Sequence, residues 1–260
     1  MPDAALVLAA ALAGTVALAA AVAVLLRRRA ARLQETLDAV TQQLEHLQQS
    51  FHRFVPQDVV EDIIHRGVAT RGERREVTVL FADLKGFTAM SEVTAPETVV
   101  SVLNGYFQSV NREITSHNGF VSKFMGDGLM ALFGAPEPNP WQAMDAARAA
   151  LAMRKAVERY NVKLGEMGLP PLGLSVGVHM GPVVAGVIGS NELVEYTVIG
   201  DVVNTAARIE GLTRAHGCDV LLSEAVRQKL DERFVVAQKP AVEVKGKAEA
   251  LVTFGLVDFG

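Results

Sequence analysis

The chain has 260 residues, half of them hydrophobic, with a formal net charge of -4 and a single cysteine, Cys218. That length supports one sizeable domain with additional segments. The composition excludes an internal disulfide framework and lacks the basic surface that a general nucleic-acid binder needs. The six histidines, His46, His52, His65, His117, His179 and His216, show no ligand-like spacing, which argues against a structural zinc site.

Residues 4–26 carry no charge over 23 positions, enough to cross a hydrocarbon core of roughly 30 Å. Arg27-Arg28-Arg29 follows and only Asp3 precedes, the reverse of a signal peptide's charge order. The pattern predicts a membrane span with the N-terminus outside and the chain after Arg27 in the cytoplasm. An uncleaved export signal is the other reading. Leu26, Ala30, Leu33, Leu37, Val40, Leu44, Leu47, Phe51 and Phe54 alternate spacings of four and three. This heptad seam predicts a parallel dimeric coiled coil, although an amphipathic helix lying on its own domain has the same pattern. Pro56 ends the seam. Residues 57–65 read as a short helix and the charged stretch 71–76 as a solvated connector. The divisions are therefore 1–29 for the anchor, 30–55 for the coiled coil, 56–75 for a linker and 76–260 for the remaining domain.

Within 76–260 the apolar patterning predicts a strand at 77–82, helices within 86–117, strands at 120–125 and 129–133 and a helix at 140–165. Two strands at 172–179 and 182–188, a helix at 201–214, a short strand, a helix at 224–230 and a closing hairpin follow. Strands and helices mix without strict alternation, which predicts an α+β fold with helices over a largely antiparallel sheet.

Asp83 closes the apolar run 77–82, and Asp127 sits in the turn Gly126-Asp127-Gly128 after another such run. Each carboxylate falls at the lip of a buried sheet, a place suited to divalent cations. Gly86-Phe87-Thr88 then offers backbone N–H groups where a strand gives way to a helix, a place suited to anionic oxygens. Taken alone, an ordinary strand end and turn account for these residues. Lys123 lies four residues before Asp127, which places both on one face of a strand, where a surface ion pair is the plainer reading. Asp201 is a candidate N-cap. Asn204 and Arg208, at i and i+4, share a helix face and present an amide and a guanidinium together. They suit a sugar edge and a phosphoryl oxygen, or a simple hydrogen-bonded surface pair.

Five ordered motifs, FADLKGFT (81–88), KFMGDG (123–128), VGVHMGPVVAGVIG (176–189), YTVIGDVVNTAAR (196–208) and VKGK (244–247), resemble those of the class III nucleotidyl cyclases, specifically adenylate cyclases, over nearly all of 76–260. The resemblance implies the ferredoxin-like cyclase fold and conversion of ATP to 3',5'-cyclic AMP and pyrophosphate. It assigns Asp83, Asp127 and the Leu84 carbonyl to two divalent cations, magnesium or manganese. Lys123 and Thr197 take the base-selecting positions, Asn204 the ribose and Arg208 the α-phosphate. Lys245, with the Gly86, Phe87 and Thr88 backbone, takes the triphosphate. It further implies a homodimer whose two sites are shared between protomers, and a Thr-bearing subgroup in which bicarbonate is an effector. With the predicted span, the expected location is the inner membrane, single-pass through residues 4–26, with the catalytic domain cytoplasmic.

One departure is Pro182, where some members carry an arginine, and it implies modest ATP affinity. The alternatives are a guanylate cyclase, against which Lys123 speaks because an ammonium cannot accept hydrogen bonds, and a catalytically silent membrane-bound dimeric module. Cys218, next to the apolar run 220–222, reads as a core residue.

Overall fold

The computed structural model describes residues 3–51, 72–190, 194–243 and 250–260. The expected helix at 57–65, most of the 56–75 linker and Lys245 lie outside the described residues. The chain separates into two units, Met1–Val55 and Pro56–Gly260. In the first, α1 is one 49-residue helix, Asp3–Phe51. Its seam side chains Leu26, Leu33, Leu37, Val40 and Leu44 are all exposed. Among the described residues no helix is long and apolar enough to cross a membrane; most side chains of residues 4–26 are outside the described set.

In the second unit the order is β1 (Glu73–Lys85), α2 (Phe87–Glu92), α3 (Pro96–Ser116), β2 (Gly119–Met125), β3 (Gly128–Phe133), α4 (Gln142–Glu166), β4 (Gly173–Gly189) and β5 (Val194–Ile199). Then follow α5 (Asp201–Leu212), β6 (Val220–Ser223), α6 (Glu224–Arg227), β7 (Phe234–Gln238) and β8 (Thr253–Phe259). The sheet runs β2-β3-β1-β4-β6-β8-β7, with β5 also paired to β4. Only the β4–β6 pair is parallel among the described strands. A mixed, mostly antiparallel sheet with covering helices agrees with the α+β expectation.

Strand alternation decides what each face of β1 meets. Leu80, Ala82 and Leu84 join a core with Tyr106, Val110 and Ile114 of α3 and the alanines of α4. Val77 and Val79 point the other way, into a cluster with Val183, Val202 and Ala206. By the same alternation Asp83 falls on the α5 side of the sheet.

Three expectations need correction. The charged stretch before Val77 is not a connector but the start of β1, with Glu73 opposite Ala185 and Glu76 opposite Pro182. Its charged side chains stay largely at the surface while the backbone pairs, so charge does not oppose strand formation there. The two strands expected at 172–179 and 182–188 are one 17-residue strand, β4. Pro182 does not break it because β6 pairs with Val176–Val178 and β5 with Val184–Gly189. The proline occupies the gap between the two, where a missing N–H costs no ladder bond. Finally, β5 is a strand that the periodicity missed.

Beyond the Thr78–Phe133 pair, β3 turns away at Gly134, whose φ is 81°. The buried side chain of Gln142 takes over the ladder: the Thr78 N–H donates to its Oε1 at 2.8 Å, and its Nε2 donates to the Glu76 carbonyl at 3.0 Å. Gln142→Ala leaves both backbone groups unpaired. It is expected to destabilise the fold by about 2–3 kcal/mol, read as a lower urea midpoint at unchanged slope.

Candidate active site

The end of β1 is where the acidic residues gather. Asp83 stands opposite Ser175 of β4, and one step beyond the Ala82–Leu129 pair with β3. That step brings it to Gly128, the last residue of the turn that carries Asp127. Gly126, at φ 65°, lets the β2–β3 hairpin close in two residues between the paired Met125 and Gly128. A Cβ on Gly128 would lie 3.2 Å from Asp83 Oδ1 and 3.2 Å from the Ala82 carbonyl oxygen. The absent side chain keeps a space beside the carboxylate, a cradle of the kind a cation needs.

Burial pushes the Asp83 carboxyl up from its usual range, and the nearby Asp127 charge adds to the rise; a hydrogen bond from the Leu84 amide and the charge of Arg214 act against it. Glu210, on α5, is raised first by burial and then by Asp83, with a Ser175 hydrogen bond, Lys85 and Arg214 opposing. Three carboxylates therefore share one end of the sheet with too little positive charge. Lys85 is committed elsewhere, to Asp219 at 2.9 Å and the Cys218 carbonyl at 3.0 Å. Among the described residues no group of three or more His, Cys, Asp and Glu side chains closes around a metal. A hard cation held by Asp83 and Asp127 would take its remaining oxygens from backbone or substrate.

After Lys85, Gly86 adopts φ 87° and opens α2, accepting at its carbonyl from the Met90 N–H at 3.1 Å. Its left-handed conformation turns the Gly86-Phe87-Thr88 backbone away from the strand.

The second cluster lies along β2 and β5. The expectation that Lys123 shares a strand face with Asp127 fails: β2 ends at Met125, and its register shifts between Val121 and Lys123. Lys123 instead pairs with Glu195 of β5 at 3.0 Å. Ser122 donates to the Tyr196 carbonyl at 3.2 Å, and the Phe120 and Tyr196 rings meet edge-on with centroids 6.1 Å apart. These contacts bring β5 alongside β2. Thr197, two residues beyond Glu195, is on the same face of β5.

α5 presses onto β4 at Gly177, where a Cβ would collide with the backbone of Glu210 and the Ala206 carbonyl. This close approach sets the height of Asn204, which is exposed, and of Arg208, which is half-buried. Arg208 Nη1 is buried without a hydrogen-bond partner, a cationic donor left for a ligand or another chain. Asp201 is not the N-cap: Gly200 holds that position, and Asp201 lies in the first helical turn, accepting from Thr205 Oγ1 at 3.4 Å. Glu195 and Glu210 escaped the sequence reading. The only available signal was alternation: Glu195 is two residues from Thr197 on a strand that had itself been missed.

Residues 70–257 match the family described as the adenylate and guanylate cyclase catalytic domain. An adenylate cyclase of Anabaena cylindrica is 36% identical over 231 residues, spanning 85% of this chain and 43% of that protein, so the chain covers less than half of that relative's length. Among solved structures, the guanylyl cyclase Cya2 is 36% identical with a TM-score of 0.69, covering 73% of this chain and 95% of that one. The adenylyl cyclase CyaB from P. aeruginosa is 28% identical with a TM-score of 0.69, covering 72% of this chain and 96% of that one.

A carboxyl whose folded pKa is raised binds its proton more tightly in the native state, so stability falls as pH rises from the ordinary carboxylate range through the raised value. Asp127→Asn removes one source of that rise. Without metal, the variant is expected to melt at or above the wild-type temperature at neutral pH. The difference should shrink on acidification as Asp83 takes up its proton, and thermal melts across that pH range read it directly.

Proposed function

Because this chain belongs to the adenylate and guanylate cyclase catalytic-domain family, we propose that it converts ATP to 3',5'-cyclic AMP and pyrophosphate at sites shared between two protomers. The observation that carries the reading is the convergence of Asp83 and Asp127 across the side-chain-free Gly128. The two carboxylates and the Leu84 carbonyl would hold two divalent cations, magnesium or manganese. Such ions ease deprotonation of the ribose 3'-hydroxyl and offset charge on the leaving pyrophosphate.

The chain's own residues then bind and orient. Lys123, steadied by Glu195, donates to the adenine ring beside Thr197. Asn204 orients the ribose, so that its 3'-oxygen attacks the α-phosphate in line. Arg208, with Nη1 unpartnered, meets the charge that develops there. The Gly86, Phe87 and Thr88 backbone and Lys245 take the triphosphate tail.

The exposed seam of α1 supports a dimer as well, since an uncovered heptad stripe gains stability by pairing. Its uncharged stretch at 4–26 supports an inner-membrane anchor, with the cyclase domain in the cytoplasm. Thr197 leaves bicarbonate as a candidate effector.

The direct test is nucleotide turnover by the purified full chain with ATP and GTP, each under magnesium and manganese. Cyclic AMP is expected. Asp127→Ala should abolish it, and Arg208→Ala should lower kcat by about 100- to 1000-fold. Cyclic GMP as the main product, or cyclic AMP surviving in Asp127→Ala, would refute the assignment. Removing residues 1–55 should lower specific activity on dilution and restore it at high protein concentration. Activity independent of dilution would exclude dimer promotion by the seam.

A further inference from the structure

Lys123 reaches Glu195 because β2 is irregular. Cross-strand partners share a face of the sheet: Phe120 stands opposite Leu132, in the cluster beneath β5 and α5, and Val121 opposite Ala131, in the α3–α4 core. Ser122 is then an extra residue, and Lys123 stands opposite Met130, back on the β5 side. In an unbroken ladder position 123 would fall opposite Leu129, on the α3–α4 side. Phe124 takes that place and packs against Phe107 with ring centroids 4.3 Å apart. A bulge gives up ladder pairing locally and re-aims a side chain; here it carries an ammonium out of an apolar core and toward β5.

Glu195 receives that ammonium at 3.0 Å, the two side chains being 34% and 47% exposed. An open pair of this kind adds little to stability, so the fold does not account for it. The described ladders join β2 to β3 and β5 to β4, not β2 to β5, which leaves side chains to tie the two strands together. Of the three ammonium donors Glu195 occupies one and leaves two, while the flexible four-carbon stem is held in one direction.

We propose that Glu195 is a positioning residue for base selection: it holds Lys123 so that the remaining ammonium donors meet the ring N1 of adenine, and it thereby sets the preference for ATP over GTP. The inference rests on the reading of Lys123 as the adenine donor. Guanine gains nothing from the same arrangement at N1, where it carries a hydrogen that an ammonium cannot accept. Glu195 acts through Lys123 and takes no part in the transfer of the phosphoryl group.

The test measures kcat and KM for ATP and GTP, with thermal melts, on the full chain and on Glu195→Ala, Glu195→Gln, Lys123→Ala and the double variant of Glu195→Ala with Lys123→Ala. Glu195→Ala is expected to raise the KM for ATP about three- to ten-fold, the cost of ordering a free lysine on binding, with kcat little changed. The ATP-to-GTP ratio of kcat/KM should fall with it, while the melting temperature stays where it was. Glu195→Gln retains an acceptor oxygen and should keep most of the wild-type preference. Once Lys123 is alanine, removing Glu195 should cost nothing further. Unchanged KM and preference in Glu195→Ala, or the same loss with and without Lys123, overturns the inference. A higher ATP-to-GTP ratio in Glu195→Ala also overturns it, because the carboxylate would then be accepting from guanine itself. If Lys123→Ala alone leaves the base preference unchanged, the assignment of Lys123 fails and takes the inference with it.

Discussion

The unbroken antiparallel pairing of β1 with β4, from Glu73 opposite Ala185 to Lys85 opposite Gly173, holds the rest of the domain in place. Because the register never slips, the parity of every side chain along β1 is set: even positions from Leu80 enter the α3–α4 core, and odd ones face α5. A slip of one residue would drive Asp83 into that core and expose Leu84. On β4 the same register puts Gly177 beneath α5, and the missing Cβ lets the helix backbone sit against the strand. The acidic end of β1 and the amide–guanidinium face of α5 are thus fixed by one ladder.

The electrostatics of the isolated chain are unbalanced in a way that suits a shared site. Asp83 and Glu210 are both pushed toward protonation by burial, with Asp127 adding to the rise at Asp83 and Asp83 to the rise at Glu210. Arg208 keeps a buried nitrogen unsatisfied, and Lys123 rests against Glu195. Lys123 and Glu195 cancel locally, as structural ion pairs do, whereas the raised carboxyl of Asp83 and the buried nitrogen of Arg208 do not. Cations, nucleotide and a second protomer would supply what each half lacks. This is the pattern expected where stability is given up for preorganised charge.

Much of this was visible in the chain itself, though unevenly. The hairpin around Asp127 and the helices α3 and α4 follow from apolar periodicity and from Gly126, and the sheet-lip position of Asp83 follows from the run that precedes it. Readings failed where the local signal pointed away from the long-range pairing. Charged residues at 73–76 suggested a connector, although only their backbone enters the ladder. Pro182 suggested a break, although it occupies a stretch with no partner on that edge. The strand β5 lay unrecognised inside a motif read for its side chains, so Glu195, the partner of Lys123, went unseen as well.

By itself the sequence determined the residue types, the α+β class and the chemical character of the site: carboxylates at strand ends, a glycine turn, and an amide and a guanidinium one helical turn apart. These are local properties, carried by spacing and propensity within a few residues. Only the tertiary structure decided that Asp83 comes up against Gly128 beside Asp127 and that Lys123 is held by Glu195. Both join segments about 45 to 70 residues apart in the chain, and such contacts depend on sheet register and helix packing, which no short stretch of sequence encodes.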